Sequence, residues 1–364
     1  MIPYYILLFA PLVCSIYVQH GKITVYNKLE TKEQKHVIGI FFSAFLLMLA
    51  LRGLDCGSDT RNYLYYFNND VSLSFDEIFH QYHVEVLFHL LNKIISLISK
   101  DYQLYLVIIA IICIIPLWKL YKEESELPYL SIILFLTVAP FSIFFSGLRQ
   151  ALAISAAPIS YYFCKKKKLL PYIATCLITT SIHQSAIMLF LMYPIYRAKT
   201  TRNWLYFVVP IVAVILAFNS RIYTTIVPLM GERYFERYGE TSSTGAYSVI
   251  LFLLALAILA SLFPNDDEVD ENTAGLRNLL FLSVCLQCFA PVNTIAMRMN
   301  YYYLIFVPLT IPKIVTRSKR KYKQVAYFVV IAMCVVFCLY FIYEMYKSSD
   351  IMQLYPYVGF WQNR

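Results

Sequence analysis

Long uncharged runs constrain this chain more than any other feature. Residues 102–118 and 204–220 contain no charged side chain at all. Each is about as long as the roughly 17–25 residues that a helix needs to cross the hydrocarbon of a bilayer. Of the 364 residues, 59% are hydrophobic and only 15% charged, where a soluble domain carries about a quarter charged. Too few polar side chains exist to cover a water-facing globule. Lipid is the solvent, and every backbone polar group must then be satisfied inside helices or a closed barrel. A barrel would alternate in segments of roughly 10 residues. These runs are continuous, so the expectation is an all-α, polytopic membrane bundle of roughly 11–13 membrane segments.

Candidate spans are 2–19, 37–54, 84–99, 102–118, 128–146, 148–164, 169–182, 184–196, 204–220, 246–263, 276–291, 301–316 and 324–345. No basic stretch precedes 2–19, which reads as a retained span. No internal repeat or separate soluble unit is visible, so residues 1–364 read as a single transmembrane domain with external loops 52–83 and 221–245. Cys285 and Cys288 form a CxxC within an apolar run and have no partner pair. They read as small packed residues.

Lysine and arginine in short loops orient the chain. Lys165 to Lys168, Arg197 to Arg202 and Arg317 to Lys323 are basic, which puts them in the cytoplasm. The net charge of +9 is then mostly topological. Nucleic acid is excluded as a partner, because these clusters flank spans and lack a base-stacking platform. Membrane lipid is the natural contact. Lys22, Lys28, Lys32 and Lys35 fit this scheme only if 84–99 does not cross. That segment carries Glu85, His89, Asn92 and Lys93 as a polar stripe, which suits an interfacial helix on the outer surface. A true span with its stripe turned to other helices is the alternative.

With that choice, five segments bring polar residues to the external boundary: Arg52, Asp55, Asp59 and Arg61; Arg149 and Gln150; His183 and Gln184; Arg233, Arg237 and Tyr238; and Arg298 with the tyrosines from Tyr301. A lone arginine there is more often a snorkelling anchor. Convergence of five segments points instead to a site. Arginine forks suit phosphate oxygens, a carboxylate can act as general base on a hydroxyl, and tyrosines offer sugar platforms. No Gly-rich nucleotide loop, GxSxG or HExxH is present, so a phosphate-headed lipid is the expected glycosyl donor, without cofactor or metal.

The run Arg52-Gly53-Leu54-Asp55-Cys56-Gly57-Ser58-Asp59-Thr60-Arg61-Asn62-Tyr63, then Glu85, then Gly147-Leu148-Arg149-Gln150-Ala151-Leu152-Ala153, then His183-Gln184-Ser185-Ala186, resembles the EpsG family in order and spacing. Arg298 with Tyr302 extends the likeness, whereas the Cys56 and Ser58 setting of Gly57 departs from it. These are Wzy-like polymerases of bacterial exopolysaccharide, capsule and O-antigen. The resemblance implies a glycosyltransferase-type reaction on the external face of the inner membrane. A growing glycan on undecaprenyl diphosphate passes to the non-reducing sugar of another lipid-linked repeat unit. A chain-length regulator and a flippase are implied as partners.

Read onto that chemistry, Arg149 and Arg298 would hold the diphosphate, with Arg52 supporting it or orienting Asp59. Gln150, Tyr63 and Tyr238 would line the substrate. Asp59 is the favoured base and Glu85 the second choice, while His183 would hydrogen-bond sugar or phosphate. The plainer readings are a turn cap for Asp59 and a helix cap for His183. A flippase would instead show repeats and ionisable groups at the midplane, and neither is seen. A glycan ligase stays open.

Overall fold

A computed structural model describes residues 1–18, 31–226, 247–262, 269–317, 323–347 and 352–362. The described residues are helical, with no strand among them beyond one isolated bridge between Arg52 and Gly359. The N-terminal part runs α1 (Ile2–Val18), α2 (Thr31–Ala50), α3 (Thr60–Ser72), α4 (Phe75–Gln81), α5 (Val86–Ser96) and α6 (Tyr102–Glu124). It continues through α7 (Pro128–Thr137), α8 (Ile143–Ser146), α9 (Leu148–Lys165) and α10 (Leu169–Ile182). A 3-10 segment, Gln184–Leu191, leads to α11 (Met192–Arg197) and α12 (Leu205–Ile226). The last helices are α13 (Tyr247–Leu262), α14 (Glu271–Gln287), α15 (Thr294–Leu304), α16 (Val307–Arg317) and α17 (Lys323–Tyr346).

Among the described residues, three helices are long and apolar enough to span: α6, α12 and most of α17. They differ in burial. Half of the apolar window of α6 is buried, against 11% for α12 and 22% for that of α17. Thus α6 is a central post and the other two face lipid. Around α6 pack α2 and α9; α2 also packs on α1, and α9 on α10. Lipid tails are as apolar as these side chains, so close packing and interhelical hydrogen bonds hold the bundle. At its centre Phe135 of α7 meets Phe41, Phe42 and Phe45 of α2 and Tyr121 of α6, all edge-on. Such ring pairs contribute about 0.5–1.5 kcal/mol each beyond the area they bury. The Tyr121 hydroxyl donates to the Ile305 carbonyl at 2.7 Å, which satisfies a backbone group freed where α15 breaks before α16.

Several expected spans are not single crossings. Segment 128–146 splits into α7 and α8, separated by residues 138–142. Segment 184–196 is a 3-10 turn followed by six residues of α-helix. The 11 residues of α5 extend only about 16 Å, too short to cross, in keeping with an interfacial helix. The expected loop 52–83 is largely helical, because Tyr63, Phe67 and Asp70 form a buried stripe on α3 and Ser74 with Glu77 closes a capping box on α4. Of the loop 221–245, the first part continues α12 to Ile226; residues 227–246, including Arg233, Arg237 and Tyr238, lie outside the described residues.

The C-terminal segment 352–362 folds back across the start of α3. Gly53 N–H donates to Val358 at 2.8 Å, Gly57 N–H to Gln353 at 2.9 Å and Ser58 N–H to Met352 at 2.9 Å. The Tyr357 hydroxyl reaches the Met48 carbonyl at 3.0 Å. Gly57 sits at φ 102, and a Cβ there would overlap the Phe145 carbonyl. Glycine is required by both conformation and space.

Candidate active site at the junction of three segments

Three of the expected residues meet at one point. Glu85 precedes α5, Arg149 lies in the first turn of α9, and His183 ends α10. One Glu85 oxygen, Oε2, lies 2.5 Å from Arg149 Nη1. The other, Oε1, lies 2.5 Å from His183 Nδ1 and accepts the Gln184 N–H at 3.0 Å. The side chains are 11%, 26% and 22% exposed for Glu85, Arg149 and His183, so the group is partly exposed and a ligand can reach it.

Glu85 adopts φ 58, a left-handed conformation that costs a non-glycine residue on the order of 1–3 kcal/mol. The residue is held there by its three polar partners. Burial opposes ionisation of Glu85, but the hydrogen bond and charge of His183, the Arg149 charge and the Gln184 amide outweigh it and lower its pKa to about 2. The carboxylate is a fixed anion.

Arg149 is caged by rings. Its guanidinium carbon lies 5.2 Å from the Tyr66 ring centre, 5.6 Å from Phe88 and 5.9 Å from Tyr63. The Tyr63 hydroxyl also accepts the Arg149 backbone N–H at 3.5 Å. Arg149 Nε is buried without a hydrogen-bond partner among the described residues. A planar cation stacked on aromatics, and paired to the protein through one terminal nitrogen, retains donors for an anion.

Gln150 is buried behind this wall; its amide donates to the Arg298 carbonyl at 3.0 Å and ties α9 to α15. Ser185 and Tyr302 share a hydrogen bond at 2.9 Å. The segments carrying Arg298 and Tyr302 therefore border the cluster, and Arg298 itself is half-buried.

Arg52 and Asp59 are placed differently. Arg52 is 1% exposed, donates to the Phe144 carbonyl at 2.8 Å and stacks over Phe145. It staples α8 beneath the C-terminal segment and is not in a position to support a ligand at the Glu85 cluster. It also makes no described contact to Asp59. Asp59 opens α3 without a side-chain cap and accepts from Asn62 Nδ2 at 3.3 Å. Among the described residues, no hydrogen bond joins it to Glu85, Arg149 or His183.

Beside this cluster lies a polar network that the sequence only half shows. Asp70 on α3 is fully buried; it accepts from His89 Nδ1 at 2.9 Å and from Asn92 Nδ2 at 2.8 Å. Tyr105 donates to Asn92 Oδ1 at 2.9 Å, and His89 stacks flat on Tyr82 with ring centres 3.4 Å apart. This network fastens α3, α5 and α6 together and so fixes where Glu85, Tyr63 and Tyr66 stand. His89 and Asn92 were visible as a stripe. Asp70 was missed, although it falls on the same helical face as Tyr63 and Phe67. An acid on an apolar stripe is the signal that would have found it.

A family model described as the EpsG family matches residues 35–358 of the chain. No curated protein and no solved structure matches it.

Proposed function

Because the chain belongs to the EpsG family, we propose that it polymerises lipid-linked oligosaccharide repeat units at the boundary bearing Glu85, Arg149 and His183. Membership supports a polysaccharide polymerase-like role in the membrane. The observation that carries the finer reading is the Glu85 carboxylate, which joins an arginine and a histidine from separate helices in one partly exposed cluster.

The proposed donor is a glycan on undecaprenyl diphosphate, and the acceptor is the non-reducing sugar of another lipid-linked unit. The acceptor hydroxyl oxygen bonds to the anomeric carbon. The bond from that carbon to the phosphate oxygen breaks, and its electron pair leaves with the lipid diphosphate. Arg149 stabilises that leaving group through donors that Glu85 does not occupy. Arg298 is assigned to the same anion from the neighbouring helix.

The hydroxyl proton goes to His183 Nε2. With Nδ1 facing a fixed carboxylate, the neutral imidazole keeps its proton on Nδ1 and offers Nε2 as acceptor. Glu85 is assigned to positioning rather than to base catalysis, since both of its oxygens are engaged and its pKa is about 2. Tyr63 and Tyr238 remain assigned to the substrate boundary, and Gln150 supports it from behind by tying α9 to α15. The positive-inside distribution supports an external site on the cytoplasmic membrane.

Deleting the gene in its host and sizing the surface glycan tests this reading. Loss of long chains, with single repeat units still reaching the outer leaflet on lipid, is the expected result. Unchanged chain length, or units trapped on the cytoplasmic leaflet, would remove the proposal.

A further inference from the structure

The opposite end of the bundle carries a cleft, independent of the Glu85 cluster. From Leu148 to Lys165, α9 has 18 residues, about 27 Å, so its two ends stand at the two membrane boundaries. Between the lysine-rich ends of α6 and α9 is a cavity of about 260 Å3. Its polar end is formed by Lys119, Lys165 and Tyr162, and its apolar end by Pro116, Pro158 and Ile159. The prolines sit inside their helices, where a missing N–H and the ring loosen helical packing. Ile159 and Tyr162 are exposed toward lipid.

Charge at the polar end is positive. Glu124 lines the cavity but is paired with Lys165 at 2.5 Å and Lys313 at 3.0 Å. Glu123 also lines it. Lys119 and Lys165 line the cavity against these two acids, and Lys166, beside it on the Tyr162 ring, tips the rim to positive. Lys119 Nζ lies 5.7 Å and Lys166 Nζ 5.8 Å from the centre of the Tyr162 ring, so one aromatic ring holds two ammonium groups at the rim. A cationic, aromatic mouth at the boundary above an apolar cleft directed into the bilayer matches the polarity profile of a phospholipid with an anionic head.

We infer that this cleft binds an anionic phospholipid, with the headgroup phosphate at Lys119 and Lys166 and an acyl chain along Pro116 and Ile159. Native mass spectrometry of the full chain in detergent, titrated with phosphatidylglycerol and with phosphatidylcholine of the same acyl chains, tests it. The wild type should retain phosphatidylglycerol preferentially. Lys119→Gln with Lys166→Gln should lower that retention about fivefold per charge, the factor matching about 1 kcal/mol for a lysine near an anionic surface. Ile159→Trp, which fills the cleft, should lower it as well. If Ile159→Trp fails to fold, as judged by circular dichroism, the lysine pair decides. Equal retention of the two lipids, or retention unchanged in the folded variants, would overturn the inference. Displacement by glycerol phosphate would mark a soluble-anion site and overturn the lipid assignment.

Discussion

Glu85 and His183 are 98 positions apart, yet Oε1 of one lies 2.5 Å from Nδ1 of the other. The contact joins the short helix outside the span series to the end of α10. Arg149 completes it from α9. Neither partner alone would be remarkable at a membrane boundary. Together they orient an imidazole beside a caged cation, and this is the arrangement that the proposed glycosyl transfer needs.

The Arg149 cage makes the first prediction. Arg149→Lys keeps the charge but replaces a plane stacked among Tyr63, Tyr66 and Phe88 with a tetrahedral ammonium. It also removes the nitrogens left over from the Glu85 pair. Polymer formation should fall by about 10–1000-fold, in line with loss of one preorganised donor, while the protein still reaches the membrane. Polymer of wild-type length and amount from the lysine variant would show that a point charge suffices.

The second concerns acid. Glu85 has a folded pKa of about 2 against an ordinary 4.5. A depressed acid contributes stability that is complete above the unfolded value. That stability is lost as pH falls from about 4.5 through about 2. The full effect is on the order of 3 kcal/mol. Thermal unfolding in detergent should therefore show wild type more stable than Glu85→Gln at pH 7, with the gap closing only below about pH 4.5. A gap that stays constant down to pH 2 would mean that ionisation of Glu85 contributes nothing.

The third concerns the buried network around Asp70. Asp70→Ala leaves His89 and Asn92 without the carboxylate they both bond, buried where water cannot replace it. The expected loss is about 3–5 kcal/mol, read as a lower unfolding temperature. Asp70→Asn keeps one acceptor and should cost less. Equal, small effects from both would show the network to be incidental.

How much of this was legible depends on what each residue's surroundings required. The helical class followed from uncharged runs such as 102–118, because lipid allows few alternatives. Glu85, Arg149 and His183 were each visible as polar residues where apolar segments end, but nothing in their spacing said that they touch. That depends on α5 being too short to cross and packing against α3 and α10. Arg52 shows the converse. Its position at the end of an apolar run looks like a boundary arginine, yet residues 352–362 cover it from the far end of the chain. Its guanidinium then turns inward to Phe144. Local sequence cannot show a covering segment some 300 residues away. Asp70 was hidden for a simpler reason: it falls in 52–83, which reads from its polar residues, Asn68 and Asn69 among them, as an external loop.

The identity of the base gives the last prediction. Asp59 is the carboxylate that sequence favours, and it is only partly buried, with Asn62 as its described side-chain partner. His183 is the group that geometry favours, since Glu85 fixes its Nδ1 and leaves Nε2 for a sugar hydroxyl. The two assignments separate cleanly by substitution. His183→Gln retains a donor toward Glu85 but has no comparable proton acceptor, so turnover should drop by about 100–10000-fold, the usual span for loss of a general base. Lipid-linked repeat units should still bind and accumulate. Asp59→Asn should polymerise within about threefold of wild type, because in this assignment it takes no proton. Glu85→Gln should fall between them, since the amide oxygen can still accept from Nδ1 while the charge that stabilises a protonated imidazole is gone. Measured side by side in membranes with equal protein levels, the order Asp59→Asn, Glu85→Gln, His183→Gln from most to least active is expected. The reverse order, with Asp59→Asn inactive and His183→Gln near normal, would return the base to Asp59 and reduce the Glu85–His183 pair to a structural tie between α5 and α10.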